Sequence, residues 1–226
     1  MRIIDISQCF YEGMPSFPAA WYPQFSMSRA MTPDTDPYNT DRHFSHLHLF
    51  AHNATHIESG FHFFPDGEQI DEVAIDRFVG RACVADLSHK RELDQITAAD
   101  LDAAVGAVWT SGDRLLIRTD YLDRCWGRED YWDLPPYLTP SAADWAVEHG
   151  ASLVGLDCLT ERPGDEESPV HRRLLAAGIP ILEYITNLSQ VREPVVGLVA
   201  LPIRVGNVEA APARAVILES GAGGDV

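Results

Sequence analysis

Polar and apolar positions along the chain change in short blocks, which predicts many strands and few helices. Residues 2–8 read as a short strand, and 44–52 and 79–87 carry further strand signals. The rhythm then alternates. Apolar runs at 113–119, 151–157, 179–184, 195–202 and 213–219 predict strands. Between them, Thr97-Ala98-Ala99-Asp100 opens a helix with Thr97 as its N-cap. Thr139-Pro140 and Ser168-Pro169 open two more, each with proline at the first helical position, and Gly150 and Gly178 mark where they stop. Strands alternating with helices imply an α/β arrangement, and the β-rich first half makes it mixed rather than purely parallel.

Residues 9–42 interrupt this pattern. They hold Pro15, Pro18, Pro23, Pro33 and Pro37 among aromatic and polar residues, and predict a long irregular arm. Such arms are often functional or interfacial. Residues 221–226 predict a disordered tail. The organisation expected is one domain over 1–220 with 9–42 as its extended arm.

Composition narrows the function. Apolar content of 46% and charged content of 23% are ordinary for a globular protein. A formal charge of −17 argues against nucleic acid as a partner, because phosphate contacts need Lys and Arg. The start shows no long apolar run, so neither a signal peptide nor a membrane span is expected. Cys9, Cys83, Cys125 and Cys158 are scattered without a close pair, which suits reduced thiols in a cytoplasm.

The chemistry concentrates in one segment. Six of the nine histidines fall between His43 and His62. In an extended chain side chains alternate faces, so His46, His48, His52, His56, Glu58 and His62 would share one side. Leu47, Leu49, Ala51, Ile57 and Phe61 would take the other. Imidazole and carboxylate together are ligands for first-row transition metals. His52 and His56 also have helical spacing, but Asn53 stands where a zinc-protease helix carries glutamate. Spacing alone leaves a metal site and an ordinary polar face both open.

The segment His52-Asn53-Ala54-Thr55-His56-Ile57-Glu58-Ser59-Gly60-Phe61-His62 resembles the signature of the cyclase-family metal-dependent hydrolases, His-x-Gly-Thr-His-x-Asp-x-Pro-x-His. That family includes bacterial kynurenine formamidase and isatin hydrolase. The likeness continues through Asp5-Ile6-Ser7 with Gly13-Met14-Pro15, through 115–121 with Trp126-Gly127, and through Leu153 to Asp157. It extends to 171–187, Ala200-Leu201-Pro202 and Ala211 to Arg214.

The resemblance implies a swivelling β/β/α domain, with a barrel-like β-sheet core and peripheral helices. It implies His52, His56 and Glu58 as one ligand set, His171 and Glu183 completing the site, and Glu58 bridging where two metals bind. His62 would be the proton-transfer residue. One or two Zn2+ or Mn2+ ions per chain are expected, together with a homodimer or homotetramer whose arm reaches across. The activity implied is hydrolysis of a small amide, formamide, lactam or lactone. Departures stand at Ala54 for glycine, Glu58 for aspartate and Gly60 for proline, and they motivate an alternative, a catalytically idle relative that binds a small molecule or metal. An amidohydrolase barrel using His46 and His48 fits poorly, since eight βα units take ~250 residues. His43, His46 and His48 are expected as ordinary strand residues and Asp157 as structural. Phe17, Trp21, Tyr22 and Phe25 in the arm, with Trp126, Tyr131 and Trp132, would wall a pocket or line a subunit interface.

Overall fold

The computed structural model describes residues 1–38 and 41–220, so the expected tail at 221–226 lies outside the described residues. In chain order the strands are β1 (Arg2–Asp5), β2 (Ser26–Met31), β3 (Phe44–His48), β4 (His56–Glu58), β5 (Val79–Asp86) and β6 (Gln95–Ile96). They continue with β7 (Arg114–Arg118), β8 (Tyr137–Leu138), β9 (Leu153–Leu156), β10 (Ile181–Glu183), β11 (Val195–Pro202) and β12 (Ala210–Glu219). The helices are α1 (Ala98–Val105), α2 (Tyr121–Cys125), α3 (Pro140–Glu148) and α4 (Pro169–Ala176).

Seven strands close into a barrel in the order β4-β12-β11-β5-β7-β9-β10 and back to β4. The ten-residue β12 makes closure possible. One of its edges pairs with β11, while the other is shared by β4 at Ala210 to Pro212 and β1 at Val216 to Glu219. Strands β5, β7, β9 and β10 run parallel and the remaining barrel pairings are antiparallel. This is the mixed arrangement expected.

Strand parity sorts the two cores. Ile57, Leu116, Leu153, Leu182, Leu198, Ala211 and Ile217 pack together inside the barrel. Their neighbours Leu115, Ile117, Val154, Leu156 and Ile181 face outward against α1, α3 and α4, which supply Leu101, Val105, Trp145, Val170 and Leu174. Each such aliphatic side chain, once fully buried, contributes roughly 1.5–3 kcal/mol.

Three of the four helices among the described residues begin where the sequence predicts, after Thr97, Thr139 and Ser168, while α2 is not among the expected elements. Thr97 accepts from the Asp100 amide at 3.4 Å, and the Asp100 carboxylate accepts from the Thr97 amide at 2.8 Å. At α4 the expected cap differs. Ser168 sits at φ +49° and makes no side-chain cap. Oε1 of Glu161 replaces it, accepting from the Val170 and His171 amides at 2.9 and 2.8 Å.

Two sequence expectations are corrected. The arm is not wholly irregular, because Ser26–Met31 pairs antiparallel with Phe44–His48 in a two-stranded ribbon. Its prolines lie outside the paired stretch, so the ladder loses no donor. The run from His46 to His62 is also not one extended face. It ends at His48, turns through 51–55 and resumes only at His56–Glu58. His43, His46 and His48 are therefore exposed at the ribbon and next to it. Asp157 serves the fold: its carboxylate accepts from the amides of Thr119 and Asp120 and from the Thr119 hydroxyl, at 2.6 to 3.0 Å.

Candidate metal centre

Strand β4 carries the centre on the outside of the barrel. Ile57 points into the interior, so His56 and Glu58 face out together. The antiparallel register sets Glu183 on β10 directly opposite His56. His52 arrives from the turn before β4, His171 from the first turn of α4, and His62 from a 3-10 turn at Gly60–His62. That turn is pinned by backbone bonds from His62 to Ser59 and from Phe61 to Glu68, at 3.0 and 3.1 Å. Gly67 lies so close beneath it that a Cβ there would sit 2.4 Å from the Gly60 carbonyl.

Glu58 is the hub. Its Oε1 lies 2.7 Å from His52 Nδ1, 3.3 Å from His56 Nε2 and 3.8 Å from His62 Nε2. Its Oε2 lies 3.2 Å from His171 Nε2, which in turn is 3.4 Å from Glu183 Oε1. His52, His56 and Glu58 form one group of potential ligand atoms within 4.8 Å of one another, and Glu58, His171 and Glu183 form a second. The structure thus brings together all five residues that the sequence singled out as ligands, with His62 beside them.

The cluster suits a cation on physical grounds. Glu58 is 2% exposed, and its Oε2 is buried with no well-aligned hydrogen bond, facing His171 Nε2 at 3.2 Å. A buried carboxylate oxygen in that condition is costly unless a cation meets it. In the metal-free chain protons fill the gap. Burial works against protonation of His52, yet its hydrogen bonds to Glu209 and Glu58 hold it up at about 9. Burial likewise opposes a charged His171, and the Glu58 charge with the Glu161 contact outweighs it. Burial works to raise the Glu58 carboxyl, but His171, His52 and His56 hold it well below its usual range. His62 behaves in the opposite sense, for burial pushes it down and its ring stays neutral near pH 7. Among the described residues no hydrogen bond ties either of its ring nitrogens.

Partners that the sequence did not reveal complete the surroundings. Glu161, Glu209 and Thr160 all reach the candidate ligand residues. Oε1 of Glu161 lies 3.0 Å from His171 Nδ1, Oε1 of Glu209 lies 3.0 Å from His52 Nε2, and the Thr160 hydroxyl donates to Glu183. Glu161 and Glu209 lie 10 and 157 residues from the histidines they meet, and no spacing rule connects them. Aromatic rings close the rim. Phe50 lies against His52, Tyr184 against His56 and Phe63 against His171, at 5.4 to 5.5 Å between centroids. Tyr22 donates to the His52 carbonyl at 2.6 Å, and Trp132 packs against Phe17 and Tyr184. Phe25 instead joins Met14 and Ala54 in a small buried cluster.

A family model described as putative cyclase matches residues 4–161. A kynurenine formamidase of Bacillus cereus is 30% identical over 177 residues, which cover 76% of this chain and 78% of that protein. A kynurenine formamidase of Geobacillus thermodenitrificans is 28% identical over 222 residues, 96% of this chain and 98% of the relative. Among solved structures, an isatin hydrolase bound to the product analogue thioisatinate superposes with a TM-score of 0.84 at 20% identity, covering 97% and 92% of the two chains. Isatin hydrolase A from Labrenzia aggregata superposes at 0.83 with 21% identity, covering 96% and 93%. At those identities the two structures speak for the fold.

Proposed function

The chain belongs to the putative cyclase family, and on that footing we propose that it is a metal-dependent hydrolase of small amides, with formamides and lactams as its substrate class. One observation carries the reading. Glu58 is a buried carboxylate whose two oxygens face two separate groups of candidate ligand atoms, Oε1 towards His52 and His56 and Oε2 towards His171. In this reading His52, His56 and Glu58 would hold one divalent cation, and Glu58, His171 and Glu183 would hold a second. Imidazole and carboxylate donors suit zinc and manganese alike. Two cations also balance the charge, since Glu58, Glu183, Glu161 and Glu209 all stand around neutral imidazoles once the protons leave.

A divalent cation held there would supply Lewis acidity for the scissile carbonyl and for the attacking water. The chain's own groups do the rest. His62, neutral through burial and free at both ring nitrogens among the described residues, takes a proton from the nucleophilic water at Nε2 and returns it to the leaving nitrogen. Phe50, Phe63 and Tyr184 hold the ligand rings in place and exclude bulk water from them. Tyr22 and Trp132 offer flat apolar walls for a planar substrate.

The names of the relatives select the first substrates to try, an N-formyl arylamine and isatin. Metal-stripped protein should regain turnover of at least one on addition of zinc or manganese. His62→Ala should lower that turnover by roughly 10²- to 10⁴-fold with metal content unchanged, whereas Glu58→Ala should lose metal and turnover together. Metal-loaded wild-type protein inert towards formamides, lactams and lactones alike would establish the idle-relative alternative.

We further propose a homo-oligomer in which the β2–β3 ribbon packs on a second copy. Leu47 and Phe44 on that ribbon are 58% and 49% exposed, and a two-stranded ribbon is marginal in water without a covering surface. No helix among the described residues is long and apolar enough to cross a membrane. The four cysteines are unpaired, which supports a reducing compartment such as the cytoplasm.

A further inference from the structure

Each of the three histidines in the ligand groups has its outward ring nitrogen occupied, and the occupants differ. His56 Nδ1 donates to the Ala54 carbonyl at 2.9 Å, leaving Nε2 towards Glu58. His171 Nδ1 meets Glu161 at 3.0 Å, leaving its Nε2 towards Glu58 and Glu183. His52 is reversed: its Nδ1 faces Glu58 at 2.7 Å and its Nε2 meets Glu209 at 3.0 Å. An imidazole offers a metal one lone pair, so the opposite nitrogen must keep the proton. An acceptor for that proton fixes both the tautomer and the ring plane.

We infer that Glu161 and Glu209 are positioning residues that assign the ligating nitrogen, Nε2 in His171 and Nδ1 in His52. The inference rests on the reading of this cluster as a metal site. Both carboxylates are held by backbone that is itself fixed. The Glu161 oxygen that meets the ring also accepts the first two free amides of α4, so helix end and histidine are aligned by one atom. Glu209 precedes Ala210, which pairs with Glu58 across β12 and β4. Its carbonyl accepts from the Ser59 amide and hydroxyl at 2.9 and 3.0 Å. The position of Glu209 is therefore referenced to the strand that carries the hub. On its other side His52 is confined by Phe50 against the ring and by Tyr22 on its carbonyl, so its orientation has little freedom.

The first test uses zinc-loaded wild-type protein labelled with ¹⁵N at histidine, read by two-bond proton–nitrogen correlation. His52 should show zinc on Nδ1 and a proton on Nε2, and His171 the reverse. Ligation of His52 through Nε2 overturns the inference. The second test is zinc affinity by chelator competition in Glu209→Ala, Glu209→Gln, Glu161→Ala and Glu161→Gln. Each alanine variant should bind zinc roughly 10- to 100-fold more weakly, and each glutamine variant, which keeps an acceptor oxygen, should recover most of the loss. Alanine variants within twofold of wild type overturn the inference. So does a Glu209→Gln variant as weak as Glu209→Ala, which would make Glu209 a direct ligand. Wild-type protein that takes up no zinc overturns this inference, and if it takes up no manganese either the metal-site reading falls with it, whereas wild-type zinc binding with insensitive variants overturns this one alone.

Discussion

A carboxylate buried as deeply as that of Glu58 does not stay ionised without a cation, and in the metal-free chain the cations are protons on His52 and His171. This gives stability a definite sign against pH. His52 is raised from an ordinary 6.5 to about 9, so its stabilisation is complete below pH 6.5 and is lost as pH climbs to about 9. Glu58 is lowered from 4.5, so its share is present above pH 4.5 and is lost as pH falls through the folded value. Metal-free protein should therefore lose thermal stability between pH 6.5 and 9. Zinc-loaded protein should not, because bound metal has already displaced those protons. Parallel Tm profiles for the two forms would contradict this account. Ala54 poses a smaller question at the same scale. It sits at φ +53° where the family signature has glycine, a conformation that costs an L-residue roughly 1–2 kcal/mol. Its methyl is buried with Met14 and Phe25, which returns about 0.8 kcal/mol. The burial offsets part of the strain and leaves a net cost of roughly 0.2–1.2 kcal/mol. Ala54→Gly should change stability by no more than about 1 kcal/mol, in the stabilising direction, with metal content intact; denaturant midpoints measure it.

Three of the four helices among the described residues were legible in the sequence because their starts are written locally, as in Thr97 with Asp100 and in the two Xaa-Pro starts, whereas α2 has no side-chain cap to announce it. Val195–Pro202 follows the boundaries of its apolar run, with Val196, Leu198 and Ala200 buried on one face. The ligand strand was only partly legible. Parity placed His56 and Glu58 on one face correctly, but His52 and His62 reach the site through turns that no alternation rule describes. His171 and Glu183 became visible only through the resemblance, since the pairing of β10 with β4 is a long-range fact. Glu161 and Glu209 were not legible at all, because each acts through a contact set by the closed barrel. In the ribbon, β3 falls within the strand signal at 44–52, whereas β2 was hidden by the prolines around it. If that ribbon docks on a second copy, replacing Phe44 and Leu47 together by lysine should convert a dimer or larger assembly to monomer in sedimentation velocity. A monomeric wild-type protein would refute the docking.

At the scale of the whole molecule, barrel closure and chemistry are one event. The turn of β12 from β4 to β1 closes the ring, and the same pairing sets Glu209 beside His52 and Glu58 opposite Ala210. The parallel half of the barrel contributes Glu183 and, through the crossover helix α4, His171. The candidate centre thus sits where the antiparallel and parallel halves meet: β4 and the turn before it carry the first group of candidate ligands, and the second group needs His171 and Glu183 from the parallel half. The most direct test of the account is the amount of divalent metal per chain, measured by elemental analysis of protein purified without a histidine tag. Two equivalents of zinc or manganese, falling to one or none in Glu58→Ala, is the predicted result. Protein that is metal-free as isolated and takes up neither ion when they are added would contradict it.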